Sequence, residues 1–242
     1  MSNDNNIMKE IRNGLKDVWW RPYMVKGAIF VEYDIPFCPT TAKDIPGQII
    51  TYSEAKIIYK RECRKKNYDF QYNAYVCFFE DDSKFDSIYG IWFRSGYAYK
   101  ILKHFSGIIT PDFSTYYDFP YPLKLWNTYR MRAFGYWYGV LCNKSVINNI
   151  RWGTIETWGF DFAGVQKNSI VAIGTVGGNP KKLIDRQRFE EGLYKMVEVL
   201  PPHTILVYGS ANYPCFEKLK EQGIKVISYP SKTAKAYKGG KK

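Results

Sequence analysis

The stretch 169–210, "SIVAIGTVGGNPKKLIDRQRFEEGLYKMVEVLPPHTILVYGS", decides the fold. It opens on a continuous apolar, β-branched run and closes on another of the same kind, "TILVYGS". Between them Phe189, Leu193, Met196, Val197 and Leu200 form one apolar stripe at helical spacing. Runs of strand length that are apolar at every position suit strands covered on both faces. A helix between two such strands makes a parallel crossover unit. Asn179 is the expected helix cap and Pro180 its first residue.

The same alternation extends outward. Strand candidates are 28–34 ("AIFVEYD"), 72–80 ("YNAYVCFFE"), 106–110 ("SGIIT"), 145–152 ("SVINNIRW") and 224–229 ("IKVISY"), with a weaker one at 48–52 ("QIITY"). Helical patterns fall between them. One starts at Ser53 as cap; one runs from Asp82 to Phe105 with a break suggested by Gly90 and Gly96; one follows Asp118 and two prolines; one is stopped by Gly223. The expected architecture is α/β with a largely parallel sheet, either a compact or incomplete (βα) barrel or an open doubly wound sheet. No linker splits the middle, so residues 1–230 read as a single domain, with a polar helix over 5–18 as an appendage. The segment 231–242, with five lysines and no acid, reads as a disordered basic tail.

Composition narrows the function classes. The chain of 242 residues carries a formal net charge of +12. No apolar run approaches the ~18 residues of a membrane span, and the polar N-terminus lacks a signal-peptide core; the expectation is a cytoplasmic protein without a membrane partner. Five scattered cysteines and two histidines offer no paired metal-ligand spacing, so neither a disulfide framework nor a metal site is assigned. No cofactor is named. On a helix, Lys56, Lys60 and Arg64 align in a stripe suited to an anionic partner, of which nucleic acid is the commonest.

In parallel α/β folds the ligand site lies beyond the carboxyl ends of the strands. Asp34, Asp82, Asp112, Arg151 and Thr175 all stand at such ends. The segment 110–137, "TPDFSTYYDFPYPLKLWNTYRMRAFGYW", adds Ser114, Asn127, Arg130, Arg132 and Trp137, crowded among aromatics. Asp112, Arg130 and Arg151 are the candidate catalytic residues. Asp34, Asp82, Ser114, Asn127, Arg132, Trp137, Trp152, Thr175 and Gly177 are the candidate ligand contacts, with Trp137 or Trp152 as a stacking wall. "GTVGGNPKK" resembles a phosphate cradle but is neither a Walker A motif nor G-x-G-x-x-G. "VYGS" lacks the G-x-S-x-G elbow, and no histidine neighbours a Ser or Cys motif, which argues against a hydrolytic triad.

The P-D-F-S, N-x-Y-R-x-R and R-W-G segments in combination resemble the bacterial and phage family called domain of unknown function 4417, from about Ile29 to Ile227. The resemblance implies a phage or mobile-element setting and names no reaction. Three readings follow: association with nucleic acid; an enzyme or sequestering protein for a phosphorylated or nucleotide-like small molecule; an inhibitor that binds a host protein. Oligomeric state is left open.

Overall fold

The structure is a computed structural model that describes residues 7–8, 19–176 and 183–239. Its centre is a seven-stranded parallel sheet of β3 (Ile49–Thr51), β4 (Tyr72–Cys77), β5 (Phe105–Ile109), β6 (Val146–Asn149), β7 (Ile170–Gly174), β8 (Thr204–Tyr208) and β9 (Lys225–Tyr229). The strands pair in chain order, β3 to β9, without the reversal that defines a doubly wound sheet. The sheet curls into a half-barrel, and the barrel alternative is the one realised. Phe79, just past β4, stacks on Tyr208 of β8 with ring centroids 5.4 Å apart, across the concave face.

Side chains alternate between two apolar environments. Tyr75, Cys77 and Phe79 join Ile170, Ala172, Leu206 and Tyr208 inside the curl. Ala74, Val76 and Phe78 pack outward under the first helices, and Val171, Ile173, Ile205 and Val207 under the later ones. Both faces are covered, which is why these strands read as unbroken apolar runs.

The helices are α1 (Tyr52–Arg64), α2 (Ser95–Leu102), α3 (Tyr121–Tyr136), the single turn α4 (Trp158–Asp161), α5 (Leu183–Val199), α6 (Pro214–Glu221) and α7 (Lys232–Gly239). The cap of α1 is Thr51, not Ser53: its hydroxyl accepts from the Glu54 N–H while the Glu54 carboxylate accepts from the Thr51 N–H. The pattern after Asp82 yields only the eight residues of α2; Gly96 lies inside it, whereas Gly90 sits in a turn where a Cβ would come 2.3 Å from the Phe85 carbonyl oxygen. The expected cap Asn179 and first residue Pro180 of α5 lie outside the described residues.

Three further expectations differ from the structure. The run 28–34 is not a sheet strand: Ile29–Phe30 (β2) pairs antiparallel with Ile7–Met8 (β1), and Tyr33 and Asp34 turn the chain back at φ 59° and 58°. The helix expected over 5–18 falls on residues outside the description except Ile7 and Met8, which are in β1. The tail from Lys232 forms α7, where disorder was expected. Ser231 Oγ accepts from the Ala234 N–H at 3.2 Å, and Lys235 Nζ donates to the Ile49 carbonyl of β3 at 3.0 Å. No described helix is long and apolar enough to cross a membrane.

Candidate functional site

Residues just past the ends of β5 and β6 meet at the carboxyl edge of the sheet. Pro111 cannot donate a ladder hydrogen bond, and the chain leaves β5 there. Asp112 Oδ2 accepts from Arg151 Nη1 at 2.7 Å, and Asp112 Oδ1 accepts from Asn149 Nδ2 at 2.8 Å. Asn149 is anchored in turn by its own N–H, which donates to Thr110 Oγ1 at 2.8 Å. Asn149 is wholly buried, and its Oδ1 has no hydrogen-bond partner among the described residues. The Asp112 and Arg151 side chains keep 13% and 28% of their exposure, so the pair stands at the boundary between core and solvent.

These residues line a cleft of roughly 100 Å³ with Trp152, Val176 and Phe189. The wall has a specific support: Trp152 packs on Phe189 of α5 (centroids 5.3 Å) and lies over Gly192, where a Cβ would stand 2.2 Å from Trp152 Cδ1. Arg151 also stacks over Tyr116 at 5.5 Å, and Arg188 over Tyr117 at 6.0 Å. Tyr116 and Tyr117 are both exposed.

Asp82 approaches from beyond β4 and accepts from Ser114 Oγ at 2.9 Å. Burial, the largest cause, pushes its carboxyl above the usual range. The charge on Asp112 adds to that rise, against the Ser114 hydrogen bond and Arg151, which lower it. Beneath the loop carrying Arg151 lies Asp161, wholly buried. Its Oδ2 accepts from the Gly153 N–H at 2.9 Å and from Thr157 Oγ1 at 2.6 Å; its Oδ1 has no partner among the described residues. Burial pushes the Asp161 carboxyl up to about 7, opposed by those hydrogen bonds and by Arg132 and Arg151.

Other expected site residues have different positions. Arg130 grips Asp86 through both guanidinium nitrogens (2.7 and 2.8 Å), donates to Asn127 Oδ1 at 2.6 Å and lies 3.9 Å over the Phe113 ring. Asn127 Nδ2 donates to the Ser114 carbonyl. Together they brace the Asp82–Ser114 contact from α3 without lining the cleft. Arg132 is wholly buried and donates to the Asn149, Asp161 and Ala163 carbonyls, clamping the end of β6. Trp137 packs against Tyr99 and Phe134 in the aromatic core. Asp34 is exposed on the turn before the sheet, and Thr175 is buried, its hydroxyl donating to the Ser210 carbonyl at 3.0 Å. Gly177 lies outside the described residues. Of the basic stripe, Lys60 and Arg64 are exposed, while Lys56 donates to the Lys84 carbonyl at 2.8 Å and sits 4.8 Å over the Tyr52 ring. Asn149, Tyr116 and Arg188 were not singled out by sequence, and Phe189 was read only as part of the apolar stripe of its helix. The signal for Asn149 was present as two asparagines inside the apolar strand "VINNI".

The protein is an α/β half-barrel with a polar cleft and an aromatic wall at the carboxyl edge of its strands, the edge at which parallel α/β folds place their ligands. The chain belongs to the family described as domain of unknown function (DUF4417), which it matches over residues 31–230. It is similar to the Gene 1 protein of Mycobacterium phage L5, 30% identical over 151 residues, covering 62% of this chain and 63% of that protein. It is also similar to the Gene 1 protein of Mycobacterium phage D29, 28% identical over 179 residues, covering 73% of this chain and 64% of that protein. The matches thus span less than two thirds of either relative's length. No solved structure matches the chain.

Proposed function

We propose that this protein associates with nucleic acid and holds an unpaired nucleotide in the carboxyl-edge cleft. The observation that carries the reading is the pairing of arginine with aromatic rings around one small cavity. Arg151 stands between Asp112 and Tyr116, Trp152 and Phe189 form the wall, and Arg188 and Tyr117 stack on each other nearby. Bases stack on such walls regardless of sequence, while arginines meet the phosphates and add cation–π contacts. Arg151 spends one of its guanidinium N–H groups on Asp112, which leaves others to donate to a phosphate or carbonyl oxygen. The net charge of +12 supplies the long-range attraction.

The test is binding of single- and double-stranded DNA and RNA across a salt series, with Trp152→Ala and Arg151→Gln beside the unaltered protein. Stronger binding to single strands, weakened at least ten-fold by Trp152→Ala, is the expected result. Equal affinity for duplexes and no effect of Trp152→Ala would refute it. The cleft has room for a single ring, which also admits a second reading, the base of a free nucleotide-like molecule. At roughly 100 Å³ it is comparable with the about 150 Å³ cavity that takes up one benzene ring. In that case mononucleotides bind as tightly as oligonucleotides do.

A further inference from the structure

A larger cavity opens at the opposite, amino-terminal edge of the sheet. It encloses roughly 470 Å³, within the range of small-ligand sites. The loop before β3 contributes Lys43, Asp44 and Gly47, and the first residues of β4 contribute Asn73 and Tyr75. Ser106 comes from β5, and Asn143, Lys144 and Ser145 come from the turn before β6. The floor depends on a glycine: a Cβ on Gly107 would stand 2.5 Å from Tyr75 Cε1, so only glycine lets that ring cross β5. The Tyr75 hydroxyl then meets Ser145 Oγ at 2.5 Å.

The chemistry of the lining is that of an anion site. Lys43 and Lys144 have no ion pair with any described residue, and Asp44 is the only acid in the lining. The Tyr75–Ser145 contact uses one of two hydroxyl hydrogens and leaves the other to donate. Ser106 Oγ donates to Asn73 Oδ1 at 3.1 Å, so the Asn73 amide nitrogen keeps its donors for a ligand. Charge beyond the cavity is predominantly of the same sign. In a parallel crossover the helix runs back toward the amino edge, so the ends of α1 and α2 bring Arg64, Lys66 and Lys103, all exposed, to that side of the sheet, where Lys65 is paired with Glu62 at 3.4 Å and Asp69 is the other acid.

We infer that this amino-edge cavity binds a phosphate ester carried on a sugar, with Lys43 and Lys144 facing the phosphate and the amide and hydroxyl groups facing the sugar. The site is separate from the carboxyl-edge cleft and does not depend on it. The sugar phosphate comes either from a nucleic-acid backbone or from a free small molecule, and two probes distinguish these sources. One is an abasic oligodeoxynucleotide, a sugar–phosphate chain with no aromatic base to stack in the other cleft; the second is ribose 5-phosphate. Both are titrated against the full chain, against Lys43→Gln/Lys144→Gln, and against Gly47→Trp. Gly47→Trp blocks the cavity from a position where an added Cβ meets nothing within 4 Å. At least ten-fold weaker binding of either probe to both variants, with unchanged thermal melting, is expected. Loss confined to the abasic chain identifies the backbone as the source; loss of ribose 5-phosphate binding identifies a free sugar phosphate. Binding of both probes unaffected by either variant, or no binding of either probe to the unaltered protein, would overturn the inference.

Discussion

Removing the carboxylate of Asp112 separates a site from a structural bridge. An ion pair lost from a fully buried position costs roughly 3–5 kcal/mol, because one charge is left uncompensated; an exposed pair is worth about 0–1 kcal/mol. The Asp112–Arg151 pair, at 13% and 28% side-chain exposure, lies between these limits. Its geometry sets where. Asp112→Asn retains one acceptor for two donors, Arg151 Nη1 and Asn149 Nδ2, and turns an NH₂ toward the other. Arg151 can relax toward water, but the buried Asn149 cannot, so the expected cost is that of one unsatisfied buried donor, about 1–3 kcal/mol. At about 2–4 °C per kcal/mol for a chain of this size, the melting temperature falls by roughly 2–12 °C. Arg151→Gln leaves Asp112 bonded to Asn149 and partly solvated, and costs about 1 kcal/mol or less. Binding follows the reverse order. Arg151→Gln weakens single-strand affinity about ten-fold, which is about 1.4 kcal/mol, and lowers the salt slope by about 0.7. The assays are thermal melting and fluorescence-anisotropy titration of the same preparations. Losses above about 3 kcal/mol for both variants, with binding lost only in proportion to unfolding, would make the pair a structural bridge and refute the argument.

Gly192→Ala forces a methyl against Trp152 and should displace the wall of the cleft. Overpacking of about 1–3 kcal/mol and weaker oligonucleotide binding are expected, read by melting and anisotropy; an unchanged Trp152 environment by fluorescence would contradict this. Asp161 gives a pH signature: its folded pKa is raised to about 7 from an ordinary 3.8, so the folded state holds the proton that the unfolded chain releases. The sign is therefore negative: between about pH 4 and 7 stability falls as pH rises, by up to about 1.4 kcal/mol per pH unit, and levels off above 7. Urea unfolding from pH 5 to 8 should show that fall in the unaltered protein relative to Asp161→Asn, and a flat difference would place the Asp161 pKa in the ordinary range. On α1, Lys60→Gln/Arg64→Gln should lower the salt slope of nucleic-acid binding by about one unit per lost phosphate contact. Lys56→Gln should lower it less, because Lys56 is already held by the Lys84 carbonyl; equal effects would show that this bond does not restrain it.

The sheet was legible because its central strands are buried on both faces, so 74–79, 170–174 and 204–208 are almost wholly apolar and lack the glycine, proline and polar clusters that mark a loop. The run 28–34 looked the same locally but is turned back by two successive left-handed residues, Tyr33 and Asp34. Neither is glycine, so the turn signal was confined to Asp34, a residue that also suits the end of a strand. At the site, the neighbourhood of Asp112 and Arg151 was legible because both follow strand ends and consecutive strands in such folds tend to be adjacent. Arg130 was not, since its partner Asp86 lies 44 residues away in an irregular turn segment. A charge beside aromatics has the same appearance in sequence whether it faces a ligand or a buried carboxylate. The Arg188–Tyr117 pair was equally hidden, because α5 and the 110–120 loop meet only once the sheet has curled.

The curl also explains the tail. Seven strands in chain order leave β3 and β9 as edges that do not pair with each other, and open edges are a liability. Side chains bridge them: the Tyr229 hydroxyl of β9 donates to the Pro46 carbonyl just before β3 at 2.5 Å, and Lys235 of α7 reaches the Ile49 carbonyl of β3. The Lys232 N–H donates to the Tyr208 hydroxyl at 3.1 Å, which fixes the start of α7 beside β8. Lysines that read as self-repelling in the sequence therefore include one that is held by a backbone carbonyl of the sheet edge. Lys235 is thus committed to β3. Lys43, Lys144 and the ends of α1 and α2 place their charge at the amino edge, where no acid but Asp44 lines the cavity.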